Sequence, residues 1–377
     1  MRIRALVLSC AAAFVLAACG PSSQPPSEGG TAPASPGRLH IYNWSDYVAE
    51  DTIANFEART GIRVVYDVYS ENEVLEAKLQ AGNSGYDLVF PSLRPFAQRQ
   101  VLQGIYAPLD RASLPNFGNL DTVLLEGMRD ADPDNAHLVP YMWGTTGLGI
   151  NVGKVREALG EDVALDSWSL LFDPANAERL AACGISVLDD EQEAFAAALI
   201  WLGRDPNRTD GDELEAVQAA YGAVRPHIRS FNNSQYINEL ATGETCLAMG
   251  YSGDVAQAAA RAEEAGTGLE IAYIIPKEGA IRWIDVMAIP SDARNKEAAH
   301  AFINYLLEPE VIAAVTNYVA YANPNLASKA FVEAEILEDG GVYPPDEVLA
   351  KLVDPQKLPD AAQQARVRAW TRIKSGR

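Results

Sequence analysis

The chain has 377 residues, with 51 Asp and Glu against 30 Lys and Arg, a formal charge of −21. Nucleic-acid affinity comes mostly from cations meeting phosphates, so this balance argues against a nucleic-acid partner and tolerates cationic ligands. His40, His137, His227 and His300 have no ligand spacing, and no Cys cluster, HExxH, Walker A or GxSxG pattern occurs, which leaves metal and nucleophile chemistry without support in the sequence.

Arg2 and Arg4 precede an apolar run from Ala5 to Ala18 that is interrupted only by Ser9 and Cys10. This reads as a secretory signal peptide over 1–18, and the run is too short for a stable span of ~20 residues. The stretch Leu16-Ala17-Ala18-Cys19-Gly20 is similar to the bacterial lipobox, so cleavage before Cys19 and lipid attachment to that cysteine are expected. Ordinary cleavage nearby, with Cys19 a free thiol, is the alternative. Residues 19–37 are dominated by Pro, Ser and Gly and have little to bury, so they read as a tether. The cleaved chain keeps 359 residues and, without Arg2 and Arg4, a charge of −23. That length suits about two domains at ~100–200 residues each. Cys183 and Cys246 remain in the folded part, either bridged as an oxidising compartment permits or separately buried as thiols.

From Leu39 the pattern is strand Leu39–Asn43, helix Asp51–Arg59 stopped by Gly61, and strand Arg63–Val68. A capping box of Ser70 and Glu73 then opens a helix ending near Gly82, and a third strand covers Asp87–Pro91. This βαβαβ order is that of an open parallel sheet with helices on both faces, where ligands bind at the carboxyl ends of the strands. Trp44, Ser45 and Tyr47 follow the first strand and Ser92 the third. After Gly144-Thr145-Thr146-Gly147 a second such run has strands at Gly184–Leu188, Thr245–Tyr251 and Leu269–Ile275. A strand Arg282–Pro290, an amphipathic helix Lys296–Leu307 and a polar, helical C-terminal portion broken at Pro344-Pro345 complete the chain. Two α/β lobes joined by extended crossings fit a hinged clamshell; two independent domains without a cleft are the alternative.

Strand alternation places Trp283, Asp285 and Met287 on one face and Ile284, Val286 and Ala288 on the other. An acid in so apolar a strand is costly unless a cation or a donor meets it, which leaves a ligand amine or a local Arg or Lys as its partner. Asp254, at the start of the helix Val255–Glu263, reads locally as a cap contributing ~1 kcal/mol. Glu193, early in a helix beside Asp189, Asp190 and Glu191, reads locally as a solvated residue favoured by the helix dipole. Trp44, Tyr47, Tyr141, Trp143, Tyr251, Trp283 and Tyr321 are core packing or, if gathered in a cleft, a box for ammonium heads and methylene stems.

Several stretches resemble the polyamine-binding proteins of bacterial ABC importers, with the putrescine receptors the most similar branch. They are Leu39-His40-Ile41-Tyr42-Asn43-Trp44-Ser45-Asp46-Tyr47, Pro140-Tyr141-Met142-Trp143-Gly144-Thr145-Thr146-Gly147, Ser234-Gln235-Tyr236-Ile237-Asn238, Ile275-Pro276-Lys277-Glu278-Gly279-Ala280 and Tyr343-Pro344-Pro345. The resemblance runs from Leu39 to near Arg377. It implies an α/β, type II periplasmic-binding-protein fold of two discontinuous lobes, 38–143 with 277–320 and 144–276 with 321–377. It implies a monomer that needs no cofactor, captures a polyamine, putrescine or spermidine, and delivers it to an ABC permease. It also implies a ligand set of Trp44, Ser45, Tyr47, Ser92, Glu193, Tyr251, Asp254, Trp283, Asp285 and Tyr321, with Glu193, Asp254 and Asp285 answering the amines, and a Cys183–Cys246 disulfide. Tyr251 stands where the putrescine receptors carry Trp, and Trp283 where they carry Phe. Asp46 and Asp190 are similar to the spermidine-preferring branch, so the implied pocket mixes the two. A sensor reporting polyamines to a signalling partner, or an enzyme acting on amine substrates, are the competing functions; the second needs a nucleophile and base that the sequence does not show.

Overall fold

The computed structural model describes residues 37–208 and 211–376. The leader, Cys19 and, apart from Gly37, the tether lie outside the described residues. One sheet of ten strands organises the rest: β1 Arg38–Trp44, β2 Arg63–Tyr69, β3 Leu88–Val89, β4 Leu138–Asn151, β5 Ile185–Val187, β6 Ser230–Phe231, β7 Leu247–Tyr251, β8 Ile271–Ile274, β9 Ala280–Ala288 and β10 Leu352–Val353. Its order is β2-β1-β3-β9-β4-β7-β5-β6, with β10 beside β9 and β8 beside β4.

Two parallel groups, β2-β1-β3 and β7-β5-β6, flank an antiparallel ribbon of β4 and β9. Helical crossovers explain the parallel pairing inside each group, because parallel neighbours need a long connection. In the ribbon, β4 pairs β9 from Leu138 to Thr146, and its later residues pair β7 and β8. The β4–β9 register shifts between Pro140 and Met142. Proline has no N–H to give a ladder, so an irregularity there is expected.

Two bodies of apolar side chains follow from this arrangement. On one face of the first parallel group, Leu39, Ile41, Phe56, Leu88, Phe90, Tyr141, Met287, Phe302 and Tyr321 are buried together. Its other face buries Tyr42, Leu75, Leu79, Val89, Val286 and Ala288. The second body gathers Leu148, Ile150, Trp168, Ile185, Phe195, Tyr221, Leu240, Met249, Val255, Ile281 and Trp370. Each fully buried Leu, Ile or Phe contributes about 1.5–3 kcal/mol, so each body has enough apolar surface to hold a lobe together. The alternation expected in β9 is observed: Trp283 and Met287 pack into the first of these clusters, and Ile284, Val286 and Ala288 into the opposite one.

The helix Thr52–Thr60 ends where expected, with Gly61 at φ 71° returning its N–H to the Glu57 carbonyl. Two local expectations differ from the structure. The third strand shrinks to Leu88–Val89, because the Asp87 carboxylate accepts the N–H groups of His40, Arg294 and Asn295 and ties the chain to the start of the helix Lys296–Leu306. The Ser70–Glu73 capping box does not form: the helix is Asn72–Gln80, Glu71 precedes it with no side-chain cap, and Ser70 lines a cavity instead. Cys183 and Cys246 are bridged by a disulfide.

Candidate functional site

The six parallel strands all deliver their carboxyl ends to one place. Strand β1 ends at Trp44, β2 at Tyr69, and β3 runs into Ser92; β5 leads to Asp190, β6 to Asn233 and Ser234, and β7 to Tyr251 and Asp254. Together with Trp283 and Asp285 of β9 and with Tyr321, these residues line a cavity with about 850 Å³ of space free of atoms, its open mouth included. All ten residues of the expected set, Trp44, Ser45, Tyr47, Ser92, Glu193, Tyr251, Asp254, Trp283, Asp285 and Tyr321, lie on its wall.

Asp285 is 5% exposed, and no Lys or Arg among the described residues pairs with it. Its two oxygens accept instead from hydroxyls, Ser92 Oγ at 2.7 Å and Tyr47 Oη at 2.9 Å. Ser92 is held in turn by Asn72, whose Nδ2 donates to its Oγ at 3.0 Å and whose Oδ1 accepts its N–H at 3.0 Å. Burial pushes the Asp285 carboxyl up to about 7, against the opposing pull of the Ser92 and Tyr47 hydroxyls.

Asp254 is held in the same manner. It sits in the first turn of the helix Ser252–Glu264, where Tyr251 occupies the cap position, so the local reading of Asp254 as a cap does not hold. Tyr236 Oη donates to one of its oxygens at 2.6 Å and Tyr321 Oη to the other at 2.7 Å. Burial raises this carboxyl to about 6; the Tyr236 and Tyr321 hydroxyls oppose the rise, Asp46 adds to it and Arg261 opposes it.

Glu193 is 4% exposed, not solvated. Asp190 caps its helix by accepting the Glu193 N–H at 3.1 Å. Burial raises the Glu193 carboxyl well above the usual range, and the nearby Asp190 charge adds to this. The Thr146 hydroxyl offsets part of the rise, although neither Glu193 Oε2 nor Thr146 Oγ1 makes a hydrogen bond of ordinary geometry.

Aromatic rings connect the two aspartates. Tyr251 meets Trp283 edge-on at 5.7 Å between centroids, Trp283 meets Tyr321 at 5.1 Å, and Tyr321 meets Tyr47 at 5.4 Å. The Tyr321 hydroxyl holds Asp254 and the Tyr47 hydroxyl holds Asp285, so one row of rings both walls the cavity and orients its acids. Trp44 is fixed by an Nε1–H bond to the Phe90 carbonyl at 2.8 Å and lies against Tyr69, whose ring centre is 4.5 Å away. Ser45 is exposed at the rim.

The lining contains Asp46, Asp190, Glu193, Asp254 and Asp285 against a single cation, Arg94, which is already committed to Asp130 and to the Gly127 carbonyl. Such a cavity can accept a compact cationic group at more than one place, with ring faces between. Two contributors escaped the sequence reading. Tyr236 looks like any core tyrosine of an amphipathic helix, and Asn72, itself on the cavity wall, holds Ser92; spacing carries no sign of either role.

The family described as bacterial extracellular solute-binding protein matches residues 51–342. The putrescine-binding periplasmic protein PotF of Escherichia coli K12 is 50% identical over 349 residues, covering 92% of this chain and 94% of that protein. The putrescine-binding periplasmic protein SpuD of Pseudomonas aeruginosa UCBPP-PA14 is 48% identical over 339 residues, 90% of this chain and 92% of its own. Among solved structures, a putative spermidine/putrescine ABC transporter from Listeria monocytogenes superposes with a TM-score of 0.80 at 30% identity, covering 90% of this chain and 100% of that one. With β-sheet topology, cavity and sequence in agreement, the chain belongs to the bacterial extracellular solute-binding proteins, with their type II two-lobed fold.

Proposed function

We propose that the chain is an extracytoplasmic receptor that captures a small linear polyamine, putrescine first and spermidine as an alternative, and delivers it as a monomer to an ABC-type permease. The observation that carries this reading is the pair Asp254 and Asp285, the first half-buried and the second buried, each held by two hydroxyls, and neither paired with a cation. A buried carboxylate without a partner is costly, and an ammonium group offsets that cost. A diamine supplies one at each end, with a methylene stem suited to the rings of Trp283, Tyr321 and Tyr47. The names of the PotF and SpuD relatives support the same ligand class.

Titration calorimetry with putrescine, cadaverine, agmatine and spermidine tests this. In the free protein Asp285 and Asp254 ionise near 7 and near 6, so both carry protons at about pH 5. A dication needs them ionised, and each group costs roughly tenfold in affinity per pH unit below its pKa. Affinity is therefore expected to rise by on the order of 10²- to 10³-fold from about pH 5 to pH 8 through these two groups, with protons released on binding. The sign for stability is opposite. Both groups lie above their unfolded values of ~4, so their stabilisation of the ligand-free fold is full below that pH and is lost as pH rises through about 6 and about 7. Failure to bind any of the amines, or an affinity indifferent to pH, overturns the reading.

Leu16-Ala17-Ala18-Cys19 supports a periplasmic protein attached to a membrane through lipid on Cys19. Among the described residues no helix is long and apolar enough to cross a membrane. Cys19→Ala is expected to move the protein from the membrane to the soluble fraction of cells. A parent protein already found in the soluble fraction refutes the anchor.

A further inference from the structure

Trp283 is a large ring in a small place, and the residue opposite explains how it fits. Gly144 on β4 is the register partner of Trp283 on β9. Directly opposed residues of an antiparallel pair project to the same face, here the face of the cavity. The indole leans across the ribbon, and its six-membered edge covers the point where a side chain at position 144 would begin. A Cβ there would lie 2.6 Å from Trp283 Cζ2, 2.9 Å from Cη2 and 2.9 Å from Ser252 Oγ. Carbon atoms prefer about 3.5–4.0 Å, so the ring could not stay.

Backbone conformation does not require glycine here, since Gly144 is absent from the glycines with positive φ. What position 144 needs is the missing side chain. On its other sides the indole touches Tyr251 and Tyr321, and Nε1 has no hydrogen-bond partner, so contact alone sets how deep the ring lies.

We infer that Gly144 is a specificity-determining positioning residue: by leaving room for the Trp283 indole against the ribbon, it keeps open the cavity that Asp254 and Asp285 share. This rests on the polyamine reading of that cavity. A methyl group at 144 lifts the ring off the sheet towards the cavity that Trp283 lines and narrows the passage for the ligand's stem.

A double-mutant cycle on the full chain tests it, with Gly144→Ala, Trp283→Phe and the two combined, read by titration with putrescine and spermidine and by melting temperature. Gly144→Ala alone is expected to weaken both amines by about tenfold or more, the usual scale of overpacking. Phenylalanine lacks the edge that covers Gly144. In the Trp283→Phe background the same Ala change is therefore expected to cost no more than about twofold, with little change in melting temperature. Equal losses in the two backgrounds, or a harmless Gly144→Ala beside Trp283, overturn the inference. If Gly144→Ala alone fails to fold, the combined variant decides: a folded, binding protein supports the inference, and a second failure to fold overturns it. A parent that binds neither amine refutes the polyamine reading instead, and the melting-temperature cycle still judges the glycine.

Discussion

Asp285→Asn is expected to weaken putrescine binding by roughly 2–5 kcal/mol, about 30-fold to several thousand-fold, the range for removing one partner of a buried charge pair. The change keeps the shape and removes the charge. Ser92 and Tyr47 both donate to the carboxylate, so one of them must turn to face the new NH₂ group. The ligand-free protein is not expected to lose stability at about pH 8. There the parent holds a buried, ionised carboxylate with no cation, and the amide relieves that cost. Loss of binding without loss of melting temperature therefore distinguishes a ligand anchor from a structural acid. The variant should also lose the upward shift in melting temperature that putrescine gives the parent. Asp254→Asn acts in the same sense. A titration in which Asp285→Asn binds putrescine as tightly as the parent removes Asp285 from the site.

Replacing both Cys183 and Cys246 by alanine is expected to cost about 4 kcal/mol of stability in the chain-entropy account, with putrescine affinity nearly unchanged. The bridge joins residues 63 apart in sequence and ties the segment before β5 to the start of β7. Cys246 is fully buried in the second apolar body and Cys183 packs against it, and neither lines the cavity. Without the bridge the unfolded chain regains a long loop's freedom, while the folded site keeps its contacts. Denaturant unfolding and titration of the same variant check both halves. A midpoint equal to the parent's refutes the stabilising role, and a large loss of affinity refutes its independence from the site.

The sequence carried the scaffold of this site better than its inner layer. Alternation along Ile284 to Ala288 correctly turned Asp285 towards Trp283, since a strand has only two faces and one was wholly apolar. Whether Asp285 met a cation or a donor stayed open, because Ser92 and Tyr47 reach it from distant segments. Asp254 misled the local reading for a related reason: first-turn acids usually serve the helix, but its oxygens are taken by tyrosines from two other elements. Glu193 looked exposed among Asp189, Asp190 and Glu191, and only the packing of its helix against the sheet shows which side of it is dry. Short-range rules also placed a cap at Ser70, a residue the fold uses at the cavity edge. Helix and strand periods are local properties. Partners brought together by the sheet are not.

The acidic lining and the commitment of Arg94 also define what the cavity refuses. Ornithine and lysine share with a diamine the alkyl stem and a terminal ammonium, yet each brings a carboxylate of its own. In this cavity that carboxylate would enter a field set by five acids, and the one guanidinium that could receive it is turned away to Asp130 and the Gly127 carbonyl. Discrimination against amino acids thus needs no steric gate; an unanswered like charge is worth several kcal/mol and suffices. In a compartment where free amino acids compete with amines of similar length, repulsion does the sorting, and the aromatic row is left to measure the stem.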